Sequence, residues 1–120
     1  MRRALSSISI VVPARPGDGP ALVERIREAV EEAGLKAFVR AEGYAFMHSE
    51  LVGVLGLPHL RLALLGDRVS MWVRDPHKLG LGPLGAEELY EGIMRGVRAA
   101  ASVVRDYCSE KGVSAIIQVP

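Results

Sequence analysis

The side chains of this chain best suited to hold a metal are three histidines, His48, His59 and His77, with Glu50 and Asp75 close by in sequence. Neutral imidazoles joined by one carboxylate can bind zinc or another divalent ion. No His-x-x-x-His pair and no cysteine pair supports them, so such a site depends on the fold bringing separate loops to one place. Without a metal, His77 beside Asp75 and Lys78 has the chemistry of a general base, but no nucleophile at a readable spacing accompanies it. Catalytic residues are not assigned, no cofactor is expected, and metal binding has His48, His59 and His77 as its only candidates.

Gly80-Leu81-Gly82-Pro83-Leu84-Gly85 spells G-x-G-x-x-G just ahead of a helical pattern, where a phosphate-cradling loop would stand. Five residues separate it from the preceding strand pattern, and no acidic residue ends the next strand to hold a ribose. Glu87 and Glu88 in the first helical turn suit the helix dipole and would repel a phosphate. A glycine-rich connector is the better reading. Arg15 in the loop before the first helix faces the same objection from Asp18, which suits a capped connector.

A third group is larger. Alternation along the strand patterns puts Phe38, Arg40, Arg61, Leu65, Arg68, Trp72, Arg74, Ile116 and Gln118 on one face. Aromatic and arginine side chains on an open sheet can stack on and neutralise single-stranded nucleic acid. The same composition, with Trp and Arg enriched, also characterises protein interfaces. A net charge of +1, an aromatic content of 5% and the lack of any RNP-like stretch favour the interface.

The elements that must carry these residues follow from periodicity. Ile8–Val12 is a β-branched run ended by Pro13; Pro20 then opens a helix whose apolar face is Leu22, Val23, Ile26, Ala29, Val30 and Ala33 before Gly34 stops it. Asp18 or Gly19 is its cap. Leu35–Glu42 reads as a second strand, Gly43 as a turn, and Tyr44–Met47 as a short third strand. Residues 48–58 are ambiguous, with Ser49–Val52 able to open a helical turn. Leu60, Leu62 and Leu64, a Gly66-Asp67 turn, and Val69, Met71 and Val73 make a hairpin. After a Pro/Gly-rich loop at 75–85, Leu89, Ile93, Val97, Ala100, Val104 and Cys108 mark a helix to about Lys111, capped by Gly112, and Val113–Val119 is a last strand. In this second helix Gly92 and Gly96 form a small-residue stripe, expected where the first helix approaches closely.

The order β-α-β-(β)-β-β-α-β predicts a single α+β domain over 1–120. Its expected form is an elaborated ferredoxin-like (split β-α-β) plait: a mainly antiparallel sheet of five to six strands, both helices on one face and the other face open. The 48–59 connection, the 75–85 loop and both termini fall at one end, which gathers the histidines there. With 120 residues, 49% of them hydrophobic, the chain can bury one core and not two. Near-neutral charge excludes a global field for nucleic acid or an anionic membrane, and no apolar run reaches the length of a bilayer span. The single Cys108 excludes an internal disulfide. The basic start followed by interrupted apolar residues is not a secretory signal, so a soluble, cytoplasmic protein is expected. The absence of Asn and Thr, with twelve Arg to three Lys, is a thermophile-like composition.

Together these patterns predict a small binding or assembly protein that homo-oligomerises through its open sheet face, with Phe38, Arg40, Arg61, Arg68, Trp72 and Arg74 as the ligand or interface residues. The alternative is a small enzyme or ligand-binding protein with a pocket at that face or at a subunit interface, taking an anionic small molecule and a divalent metal. A weak RNA-binding domain is the third reading, and nucleic acid is the less favoured partner.

Overall fold

In the computed structural model, which describes residues 5–52, 56–78 and 84–120, the chain forms one six-stranded antiparallel sheet and two α-helices. A 3-10 turn at Leu5–Ser7 precedes β1 (Ser9–Pro13); α1 (Gly19–Glu32), β2 (Leu35–Arg40) and β3 (Gly43–His48) follow. A second 3-10 turn at Ser49–Leu51 leads toward β4 (His59–Leu65), β5 (Arg68–Arg74), α2 (Ala86–Lys111) and β6 (Ile116–Gln118). The sheet order is β2-β3-β4-β5-β1-β6, and every neighbouring pair is antiparallel. β1 and β2 therefore point the same way without touching, because the β2–β5 meander fills the space between them.

Both helices pack on one another and on β2, β3 and β4. They share one face, whose registered rows are apolar: Leu60 faces Val73, Leu62 faces Met71, and Met71 in turn faces Ile10. Those side chains, with Phe46, Leu22, Ile26, Val30, Ile93, Val97 and Val104, make the core, and each is buried. Burial of a Leu, Ile, Val or Phe side chain contributes about 1.5–3 kcal/mol, so this one layer supplies most of what opposes chain entropy. Among the described residues no helix is long and apolar enough to cross a membrane.

Several element boundaries move. The first turn is Ala41-Glu42, with Glu42 at φ 64°, and Gly43 belongs to β3. Gly43 is required by packing: a Cβ there would stand 1.9 Å from the Leu62 carbonyl oxygen across the strand pair. The last strand is three residues long and not seven, because only Ile116–Gln118 finds partners, on Ser9–Val11 of β1. The second-helix glycines have different neighbours. At Gly96 a Cβ would meet Leu60, Leu35 and, on α1, Val30; at Gly92 it would meet the His48 ring at 2.6 Å. Helix approach explains part of the first and none of the second, which admits a sheet side chain instead.

Asp18 stands at the N-cap position of α1 without capping it by its side chain. Its carboxylate accepts from Tyr107 Oη at 2.8 Å and lies 3.7 Å from Lys111 Nζ. Tyr107 Oη in turn accepts the Arg15 backbone N–H at 2.8 Å, and the Arg15 guanidinium donates to the Lys111 carbonyl at 3.1 Å. Arg15 thus serves the C-terminus of α2, the negative end of that helix, as a basic group should.

Candidate anion site on the open sheet face

The face opposite the helices is built by the other half of each strand's alternation. One registered row reads Phe38, Ala45, Arg61, Trp72, Ser9 and Gln118, from β2 across to β6. The next reads Arg40, Gly43, Ala63, Ser70, Val11 and Ile116. The sequence-predicted residues Phe38, Arg40, Arg61, Arg68, Trp72 and Arg74 all lie on this face, as do Leu65, Ile116 and Gln118. Small residues sit between the large ones: Ala45 is 0% and Ala63 3% exposed, shielded by the longer side chains flanking them in register.

Three of the four arginines converge. Arg40, Arg61 and Arg74 line a cavity of about 240 Å³, together with Met47, His59 and Asp75 and a wall of Leu51, Gly56, Leu57 and Pro58 from the β3–β4 connection. Arg68 does not line it; it pairs with Leu65 and Pro13 at the far end of the sheet. The cationic rim extends further, because Lys78 Nζ stands 3.5 Å from where a Cβ on Gly56 would lie.

Arg61 is the centre. Its guanidinium lies 5.7 Å from the centroid of the Trp72 ring, a cation–π contact. Burial, and then the positive charges of Arg74 and Arg40, push its ionisation below the ordinary arginine value. Its Nε–H is shut off from solvent and has no hydrogen-bond partner among the described residues. Such an orphaned donor costs about 1–3 kcal/mol. No carboxylate forms an ion pair with Arg40, Arg61 or Arg74 among the described residues, and the remaining residues of the chain have no acidic side chain. Guanidiniums stay charged and cannot act as proton acceptors, so what this group can do is bind an anion, bidentately and with planar specificity.

The histidines do not join in a metal centre. His48 accepts the Glu50 backbone N–H on Nδ1 at 3.1 Å and packs against Gly92. His59 Nδ1 is 3.0 Å from the Leu57 carbonyl oxygen, and His77 is exposed beyond β5. Among the described residues no group of three or more His, Cys, Asp or Glu side chains could hold a metal ion. Of the G-x-G-x-x-G run, Gly80–Pro83 lies outside the described residues; Gly85 is the N-cap residue of α2.

The apolar wall of the cavity was not foreseen. Leu51, Leu57 and Pro58 belong to a segment without periodicity, and their only signal was the Pro58 that ends it. Tyr107 was also missed as a polar anchor, because the apolar stripe was drawn through its neighbour Cys108. Fold and site define an α+β domain with an uncovered, arginine-bearing sheet face. Comparison with protein-family models, curated proteins and solved structures found no match for the chain.

Proposed function

We propose that this chain is a binding domain that takes a small anionic ligand on its open sheet face, between Arg40, Arg61 and Arg74. The observation that carries this reading is the convergence of Arg40, Arg61 and Arg74 on one cavity, where none of them forms an ion pair among the described residues, although Asp75 shares the lining. An arrangement that raises the free energy of the empty protein is retained where a ligand offsets it. The test is a calorimetric titration of the whole chain with inorganic phosphate. Binding to the native protein and at least a hundredfold loss in Arg61→Met is expected; equal affinity of the two proteins removes the reading. Ligand at a hundred times its Kd should also raise the unfolding free energy by about 2.7 kcal/mol.

A second reading is self-association, supported by a different corner of the same face. There Ile116 is 61% and Leu65 46% exposed, with Val11 facing Ile116 in register and Pro13 on the same edge. A homodimer across this corner would cover apolar surface and leave the cavity at the other end of the sheet accessible. Sedimentation at micromolar concentration tests it: Leu65→Glu with Ile116→Glu should give a monomer from a native dimer, and a monomeric native chain ends it. For the frame, we propose an enlarged split β-α-β, ferredoxin-like plait. In support, β1 lies between β5 and β6, with the extra hairpin continuing the sheet beyond β5.

A further inference from the structure

We propose that the outer edge of β2 docks an extended peptide segment of alternating acidic and apolar residues, which joins the sheet as an added strand. The site is separate from the anion cavity and does not depend on it. β2 ends the sheet order, and its six residues pair with β3 alone. The two-residue turn Ala41-Glu42 makes Arg40 and Gly43 a hydrogen-bonded pair, so by alternation Phe38 and Lys36 also bond inward to β3. Leu35, Ala37 and Val39 therefore turn their backbone N–H and C=O groups outward. Of these groups only the Val39 carbonyl has a partner among the described residues, the Arg40 guanidinium at 2.8 Å. The opposite edge offers much less: β6 has three residues and is followed by Val119 and Pro120.

Charge selects the occupant. Lys36 and Arg40 stand on the open-face side of this edge, Leu35–Arg40 contains no acidic residue, and neither cation forms an ion pair among the described residues. Acidic side chains opposite them on an added strand complete cross-strand pairs. A second copy of β2 would instead bring two more cations to the same ribbon, and charges on an edge act against such self-pairing. On the helix side the chemistry differs. Val39 is 77% exposed there and lines a hollow of about 330 Å³ that also has Pro20, Tyr44, Glu24, Glu42 and Arg40 on its lining. Two carboxylates against one guanidinium do not favour a further acid, whereas an apolar side chain covers Val39. Successive side chains of a strand point to opposite faces, so the partner that fits both sides of the edge alternates acidic and apolar residues.

The experiment is amide hydrogen exchange on the whole chain with and without a capped peptide of alternating glutamate and valine, as long as β2. The peptide should slow exchange at the Ala37 and Val39 amides and leave Lys36 and Phe38, already bonded to β3, nearly as they were. Fluorescence anisotropy of the labelled peptide should show binding lost in Ala37→Pro, which removes an outward N–H that β3 does not use. Lys36→Glu, at an exposed position, should weaken the same peptide about threefold to tenfold and strengthen its lysine–valine counterpart. Should Ala37→Pro unfold, the exchange pattern and the charge swap decide. Binding without protection of Ala37 and Val39 overturns the edge site, and its loss in Arg61→Met would assign the acidic peptide to the anion cavity. A lysine–valine peptide as tight on the native chain overturns the charge half, and a glutamate–serine peptide as tight overturns the apolar half. Protection of the same amides that grows with protein concentration in the absence of peptide overturns the proposal in favour of a second copy. No binding of the glutamate–valine peptide also overturns it and leaves phosphate binding in the cavity untouched.

Discussion

Two charged clusters at different places on the molecule are built on opposite terms. Where the loop after β1 meets the end of α2, Asp18, Tyr107, Lys111 and Arg15 satisfy one another: the carboxylate has a hydroxyl and an ammonium, the hydroxyl has a backbone N–H, and the guanidinium has a helix carbonyl. On the open face Arg40, Arg61 and Arg74 share a cavity in which burial and then the charges of Arg74 and Arg40 disfavour the Arg61 charge, and Arg61 Nε is left without a partner among the described residues. The first arrangement ties residues 89 positions apart and is complete within the chain. The second is not completed by any group among the described residues. Self-sufficiency of polar groups thus separates what holds the fold from what the fold holds ready.

The sharpest way to break this contrast is Arg61→Met. A buried donor and a compressed charge disappear while the side-chain volume stays close, so the ligand-free protein should gain about 1 kcal/mol, net of a cation–π contact worth about 0.5–1 kcal/mol. Phosphate affinity should fall at least about a hundredfold, since truncating a partly buried charged partner costs about 2–5 kcal/mol. Urea melts with and without phosphate read both effects. A ligand-free protein that becomes less stable would mean that Arg61 is a structural residue, and the contrast would collapse.

The satisfied cluster should respond in the reverse sense. Tyr107→Phe removes an acceptor for the Arg15 N–H and a donor to Asp18 from a side chain only 2% exposed, for an expected loss of about 1–2 kcal/mol in the same melts and no change in phosphate affinity. A double-mutant cycle with Asp18→Ala should show coupling, because the two changes remove one shared hydrogen bond. Additive effects would place the stability of Tyr107 in its packing alone.

The sequence carried more of the open face than of the cavity in it. Alternation alone put Arg61, Trp72 and Arg74 on the same side, because a strand's period of two is local. Which arginines converge is set by register across four strands, and register depends on turns such as Ala41-Glu42, which the position of Gly43 disguised. Arg68 shows the consequence: the same residue type on the same strand as Arg74, six residues away, ends at the far end of the sheet. The two helices were legible from their 3.6-residue period and from Gly112, which adopts φ 66° as a C-cap. The Tyr107 anchor was not legible, since its partner lies on the far side of the sequence and a tyrosine beside a core stripe reads as core. The 48–58 segment shows no period at all, and Leu51, Leu57 and Pro58 of it line the cavity.

Alkaline pH gives a gentler probe of the satisfied cluster. Burial is the main cause that raises the Tyr107 phenol above its ordinary value of 10, followed on the raising side by its hydrogen bond to Asp18. The folded state therefore holds that proton more tightly than the unfolded chain. The associated stability is fully present below pH 10 and is lost as pH climbs from there toward the folded value. Melts of the native protein should weaken along that limb, and Tyr107→Phe should weaken less steeply. Tyr44, whose phenol is raised chiefly by its hydrogen bond to Glu24, adds a background that Tyr44→Phe would remove.

The smallest effect is expected at the most conspicuous ion pairs. Arg27 contacts Glu24 at 2.8 Å and also bonds Glu31, and it lies 5.9 Å over the Tyr44 ring, all at the surface of α1. Water and salt screen such pairs, and holding long side chains in place costs entropy. Arg27→Ala should therefore move the urea midpoint by little more than the error of measurement at low salt, and by nothing resolvable at about 1 M salt, where the screening length is about 3 Å. A large loss would show that a charge cluster's contribution here follows its number of contacts. The expected small one keeps burial as the variable that distinguishes Tyr107 and Arg61, one satisfied and one not, from the many charges that merely solvate the domain.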